Sequence, residues 1–200
     1  PMQNPFTLTF GKSPLEPVER PLQTMEIVDT FTAETVNQQM FIITGVRGSG
    51  KTVMMTEIAR RLREREDWVV IELNPATDLL QGMLAKLNSN KVCAAIIKSA
   101  KIDLSFFGFG VAIEGVPPLT DTETAIITIL EKLKKQDKRL LITIDEVTNN
   151  DYMKVFAGSF QIFVRQDLPV FLLATGLYEN IDKLQNEKNL TFLFRAPKIQ

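Results

Sequence analysis

The stretch Gly45-Val46-Arg47-Gly48-Ser49-Gly50-Lys51-Thr52 fills the pattern G-x-x-x-x-G-K-[ST] at every position, directly after the apolar run Met40-Phe41-Ile42-Ile43-Thr44. A strand, a glycine-rich loop and a helix in that order build a cradle for phosphate. Glycines let successive backbone N–H groups turn inward around phosphate oxygens, and the start of the next helix adds partial positive charge. Lys51 is placed to reach the β- and γ-phosphates. Thr52 offers a hydroxyl to Mg²⁺, a cation that keeps most of its waters and takes few protein ligands. Average residue usage makes the pattern a chance event in roughly one chain in a hundred of this length. The required strand and helix around it make chance rarer still. The implied ligand is a nucleoside triphosphate, with the eight residues Gly45, Val46, Arg47, Gly48, Ser49, Gly50, Lys51 and Thr52 as its contacts. Arg47 reads as a structural or solvent-facing position within the loop.

A second candidate group closes the apolar run Leu140-Leu141-Ile142-Thr143-Ile144 with Asp145-Glu146. Such a strand brings two carboxylates to the sheet edge where phosphates on the loop would lie. Asp145 would hold Mg²⁺, directly or through a water, and Glu146 would orient or deprotonate the attacking water. By itself an apolar strand ending in acids is a weak signal. It gains weight from the phosphate loop some ninety residues earlier.

Other chemistries are excluded by composition. The chain has no histidine, which removes His-containing triads and His-based metal sites. Its single cysteine, Cys93 in Val92-Cys93-Ala94-Ala95-Ile96-Ile97, rules out an internal disulfide and reads as a buried core thiol. A net charge of −1 over 200 residues gives no basic footprint for nucleic acid. The cluster Arg60-Arg61-Arg63-Arg65 is interleaved with Glu64, Glu66 and Asp67, and reads as the solvated face of a helix. No run approaches the ~18 apolar residues of a membrane span. No basic segment followed by an apolar one opens the chain, so a cytoplasmic protein without membrane association is expected.

With 44% apolar residues the chain can build one sizeable core. Its first forty residues are punctuated by Pro5, Pro14, Pro17 and Pro21, and a short helix is expected over about 22–35. Met55, Ile58, Ala59 and Leu62 give one apolar face to a helix of about 51–66. Trp68–Leu73 reads as a buried strand broken by Asn74-Pro75. Leu80, Met83, Leu84 and Leu87 mark a helix, and 90–100 another. Residues 102–113 read as a hairpin insertion around a glycine turn. Thr120-x-x-Glu123 reads as a capping box for a helix with Ile126, Ile129, Leu130 and Leu133 inward. Met153, Phe156, Ala157, Phe160 and Val164 stripe a long helix, Val170–Thr175 is a fourth strand, and a short helix follows around Ile181 and Leu184. Apolar strands separated by helices indicate a parallel sheet covered on both faces, with ligands at the carboxyl ends of its strands. Phe106, Phe107 and Phe109 either pack onto that sheet, the preferred reading, or project towards a partner.

The loop of type GxRGxGKT, the strand closing in Asp145-Glu146 and the later strand Leu172-Leu173-Ala174-Thr175-Gly176 together resemble the AAA+ and wider additional-strand, catalytic-glutamate P-loop ATPases. Closest are the origin-recognition-like and the bacterial and archaeal ATPase families, over about residues 15–200. The resemblance implies a three-layer α/β/α sandwich with a parallel five-stranded sheet ordered 5-1-4-3-2. It implies that Thr175 senses the γ-phosphate, although a plain turn hydroxyl is the alternative. Glu19-Arg20-Pro21 loosely matches the short box near the adenine. Arg195 stands where related ATPases can carry an arginine finger acting on a neighbouring subunit, and a surface or domain-packing arginine is the competing reading. The helical lid expected after the fifth strand is not found before Gln200. With Pro1 standing ahead of Met2, we expect residues 1–200 to be one nucleotide-binding domain of a longer protein. No Asn-Lys-x-Asp guanine box is present, since Asn90-Lys91-Val92-Cys93 lacks the aspartate, so ATP or ADP with Mg²⁺ is the expected cofactor.

The leading functional expectation is an Mg²⁺-dependent ATPase domain coupling ATP binding and hydrolysis to conformational change or assembly, with copies of itself or with a partner protein. The alternatives are a slow nucleotide-gated switch and a DNA-associated initiator or loader. In the last, nucleic acid would be met through regions outside these residues. A small-molecule kinase fits less well, because Asp145-Glu146 suits water activation and no acceptor-binding arginine cluster is evident.

Overall fold

The computed structural model describes residues 21–186 and 198–199. Four segments, Met40–Gly45 (β1), Trp68–Leu73 (β2), Arg139–Ile144 (β3) and Val170–Leu177 (β4), are apolar almost throughout and form strands. All pair in parallel: β2 with β3, β3 with β4, and β4 with β1, from Met40 opposite Leu172 to Gly45 opposite Leu177. The sheet body therefore has four strands in the order 1-4-3-2. Two further residues, Lys198–Ile199 (β5), pair in parallel with Ile42 and Ile43 on the free edge of β1. The full fifth strand expected from the resemblance is thus a correction: the described residues give a four-stranded body and a two-residue edge.

Alternation along the strands sorts their side chains into two cores. Phe41, Ile43, Leu141, Phe171 and Leu173 point to one face, where Pro21–Thr32 (α1) and Lys51–Arg63 (α2) cover them with Ile27, Phe31, Met54, Met55, Ile58 and Leu62. Met40, Ile42, Val69, Ile71, Leu140, Ile142, Val170 and Leu172 point to the other. There they meet Leu79–Ser89 (α3), Lys91–Ser99 (α4), Thr122–Lys135 (α5), Asp151–Arg165 (α6) and Tyr178–Gln185 (α7). Helices on both faces bury the strands completely, which is why the strand sequences are continuous apolar runs. At the carboxyl end of α1, Arg139 donates to the carbonyls of Phe31 and Ala33 while its guanidinium lies 5.7 Å from the Phe171 ring centroid. That arginine ties α1 to the start of β3.

Several local expectations change. α1 ends at Thr32 and α2 at Arg63, each about three residues early. The cap of α5 is Asp121, whose carboxylate accepts the Thr124 N–H at 2.8 Å, so Thr120 and Glu123 do not form the box. The expected hairpin over 102–113 has no strand. Asp103, 2% exposed, accepts the N–H groups of Ser105 and Ile113, both at 2.9 Å, and wraps the segment around its own carboxylate. Ser105–Phe107 is a 3₁₀ turn, closed by Gly108 at φ +84°. Ile102, Asp103 and Leu104 are all buried, so the apolar run that suggested a strand lies in a buried loop. Phe107 and Phe109 pack against the core, whereas Phe106 is 63% exposed.

Other readings are found as expected. Cys93 is fully buried, and burial pushes its thiol up to about 12. Arg60 pairs with Glu57 and Glu64, Arg61 with Glu57, and Arg65 with Asp67 along the outer face of α2. Among the described residues, no helix is long and apolar enough to cross a membrane.

Candidate functional site

The eight loop residues join β1 to α2 at the carboxyl edge of the sheet. Gly48 and Gly50 adopt φ +76° and +86°, a region L side chains rarely enter, so the loop needs glycine at both places. Gly50 serves as the N-cap of α2 and supplies no side-chain acceptor. The contrast with α3, α4, α5 and α6 is informative, because each of those has an Asp or Asn side chain accepting a first-turn N–H. Among the α-helices whose N-cap residue is described, α2 and α7 have no such side-chain acceptor. Both start on the wall of one cleft of about 440 Å³, lined by Arg47–Val53, Glu146–Thr148, Gly176, Leu177 and Asn180.

Lys51 is 8% exposed, and its ammonium donates to the Val46 carbonyl at 2.6 Å, curled into the loop. Burial holds it below its ordinary pKa, Asp145 and Glu146 pull it back up, and Arg47 adds a smaller lowering. A cation kept dry beside two carboxylates is a strong partner for phosphate. Arg47 itself is exposed, as expected of a variable loop position.

Opposite the loop, β3 delivers the two acids. The Thr52 hydroxyl lies 3.1 Å from both carboxylate oxygens of Asp145, across 93 residues of sequence. The ladder between β3 and β4 runs to Ile144 opposite Ala174, and there the chain turns. Glu146 takes φ +56°, a conformation costing on the order of 1–2 kcal/mol for a residue other than glycine. The turn is held from β4: Glu146 N–H donates to Thr175 Oγ1 at 2.9 Å, and Val147 N–H to the Thr175 carbonyl at 2.8 Å. The Thr175 hydroxyl donates in turn to Asp145 Oδ1. Asp145 thereby stays half-buried beside Thr52, while Glu146 is exposed on the cleft wall.

The loop, Asp145, Glu146 and Thr175 are thus brought together. Thr175, however, is fully buried behind the wall with its hydroxyl engaged on both sides. Arg195, Glu19 and Arg20 lie outside the described residues. Sequence reasoning missed Thr148, Gly176 and Asn180 on the wall. Gly176, immediately after a strand that ends at the sheet's ligand edge, was the available signal.

Residues 25–196 match a family described as an ATPase domain predominantly from Archaea. The chain belongs to this family. No curated protein matches the ATPase domain. Among solved structures it resembles Cdc6p from Pyrobaculum aerophilum, at 15% identity and a TM-score of 0.57, over 98% of this chain and 48% of that one. It also resembles the Orc1 protein of Aeropyrum pernix, solved in complex with DNA, at 15% identity and a TM-score of 0.51, over 88% of this chain and 42% of that one. The domain therefore shares the fold of these proteins, and spans about half of their length.

Proposed function

We propose that this domain binds Mg-ATP in the cleft at the carboxyl edge of the sheet and hydrolyses it, serving as the motor or gate of a longer protein. The observation that carries the reading is the meeting of Thr52 and Asp145 at 3.1 Å beside a loop whose helix starts uncapped, with Glu146 exposed on the facing wall. Family membership supports nucleotide-dependent ATPase action in general.

The donor set fits Mg²⁺: one hydroxyl and one carboxylate are hard oxygen ligands, and they stand together at the mouth of the loop. Among the described residues no cluster of three or more His, Cys, Asp or Glu could cage a metal, so the ion would enter with the phosphates. Held by Thr52 and Asp145, it would supply positive charge against the charge that grows on the phosphates in the transition state. The loop N–H groups from Gly45 to Thr52 would hold the β-phosphate, and Lys51 would leave the Val46 carbonyl for the β- and γ-oxygens. Glu146, carrying the only carboxylate on the described cleft wall, would take a proton from a water aligned behind the γ-phosphate.

ATP is favoured over GTP because no guanine box is present. Coupling to conformational change or assembly, with itself or another protein, belongs to the same proposal. Of the structural neighbours, Orc1 was solved with DNA. This chain's net charge of −1 gives no basic footprint for nucleic acid, so any nucleic acid would be reached through other regions. Comparing ATP turnover and ATP binding in the wild type and in Glu146→Gln tests the reading. Lost turnover with retained binding supports it, and unchanged turnover removes Glu146 from the mechanism.

A further inference from the structure

Exposure by itself makes Arg47 a solvent-facing residue, but its place in the loop says more. The Val46 carbonyl accepts the Ser49 N–H at 3.2 Å and the Lys51 ammonium at 2.6 Å. The first bond closes a tight turn with Arg47 and Gly48 at its corner, and Gly48 at φ +76° has the positive φ that a type II turn requires at that place. The second bond draws Lys51 onto the same turn. One carbonyl thus fixes two cations on one wall of the cleft, and they are the two cations among the described residues that line it. Arg47 is close enough to Lys51 to lower its pKa.

Nothing among the described residues uses the Arg47 guanidinium. Arg60, Arg61 and Arg65 pair with acids, and Arg139 donates to two carbonyls. Arg47 makes no hydrogen bond or ion pair with any described residue. A guanidinium carries a planar fork of N–H donors that matches phosphate oxygens in pairs, and it stays charged at any ordinary pH. Lys51 is the residue assigned to the β- and γ-phosphates, so its neighbour stands beside the same charges.

We propose that Arg47 is a catalytic residue acting in cis, its guanidinium meeting the γ-phosphate of the ATP held by its own loop. This inference rests on the nucleotide reading above. In the step it serves, the water oxygen bonds to the γ-phosphorus while the bond from that phosphorus to the bridging oxygen breaks. ADP leaves with the electron pair, Glu146 takes the water proton, and phosphate is the other product. Negative charge is spread over the γ-oxygens and builds on the leaving oxygen, and Arg47 opposes it from within the same chain. Turnover then needs no arginine from a neighbouring copy.

The test is steady-state phosphate release and Mg-ATP calorimetry on the wild type, Arg47→Ala, Arg47→Lys and Lys51→Ala. Loss of an in-place arginine predicts that Arg47→Ala lowers turnover about 10³-fold or more, with ATP affinity changed far less. Arg47→Lys should recover little, because a point charge cannot make the fork. The wild-type rate per molecule should be the same from nanomolar to micromolar protein. A mixture of Arg47→Ala with Glu146→Gln should stay inactive, since neither chain then holds both groups. Turnover of Arg47→Ala within about threefold of the wild type overturns the role. Activity regained in the mixture overturns it too, because the arginine would then act on a second copy. Binding of Mg-ADP with aluminium fluoride, which mimics the phosphoryl group in transit, reads the same contact without turnover. Aluminium fluoride should tighten ADP on the wild type and not on Arg47→Ala, and equal behaviour of the two proteins overturns the proposal. Failure of the wild type to bind nucleotide, or indifference to Lys51→Ala, overturns the nucleotide reading and the Arg47 role with it.

Discussion

Thr175 Oγ1 accepts the backbone N–H of Glu146 at 2.9 Å, so a hydroxyl on one strand sets the conformation of an acid at the end of the next. The same hydroxyl donates to Asp145, which leaves both of its hydrogen-bonding roles used inside the protein. Replacing Thr175 by Val keeps the shape and strands a buried N–H and a carboxylate, which costs about 1–3 kcal/mol. Urea unfolding should show that loss, and Thr175→Ser should recover most of it. Equal stability of Thr175→Val and the wild type would remove the bridge from the account.

Glu146→Gln keeps size and hydrogen-bonding capacity but cannot accept the proton of an attacking water. Turnover should fall by about 10²–10⁴, the usual contribution of a positioned base, with ATP affinity little changed. Steady-state phosphate release beside calorimetry checks both halves. A protein whose slow basal rate is untouched by this change would be a nucleotide-gated switch instead.

Adding one methyl at Gly176 drives it to 2.8 Å from Ile181 Cδ1 and 3.1 Å from Ile181 Cγ1. Both atoms belong to a side chain packed in the core, so Gly176→Ala should cost about 1–3 kcal/mol as an overpacking change. It should also tilt the first turn of α7 and weaken nucleotide binding. Pairing with Ile181→Val should restore part of the stability, and the absence of any rescue would show that the clash is not the cause.

How much of this was legible in the residues follows from how local each signal is. The phosphate loop, Asp145 and Glu146 were legible because they lie at fixed offsets from strands whose apolar runs are unambiguous. The two-sided packing of the sheet followed from the same runs. The 102–113 hairpin was misread because the apolar runs on either side of its glycine turn lie in a loop, and only the buried carboxylate of Asp103 reveals how that loop closes. Thr175 was read as a sensor because its strand position fits one. Its bonds to residues about thirty positions away have no counterpart in sequence spacing.

Asp103 gives the fold an acid-side dependence. Its carboxyl is held below the usual range, first by the Ser105 side chain and then by the Ile113 and Ser105 N–H groups. A lowered folded pKa gives stability that is complete above the unfolded value near 4. That stability is lost as pH falls through the lower folded value. Asp103→Asn, whose amide nitrogen would meet a backbone N–H, should lower the unfolding midpoint at neutral pH and flatten its decline in acid. Parallel midpoint-versus-pH curves for the two proteins would contradict this.

The claim on which the rest depends is nucleotide binding at Gly45–Thr52. Titration of the protein by calorimetry with Mg-ATP, Mg-ADP and Mg-GTP, beside Lys51→Ala, tests it directly. The account requires saturable binding that prefers adenine and is abolished by Lys51→Ala. Binding that survives Lys51→Ala, or no binding of any of the three nucleotides, would contradict it.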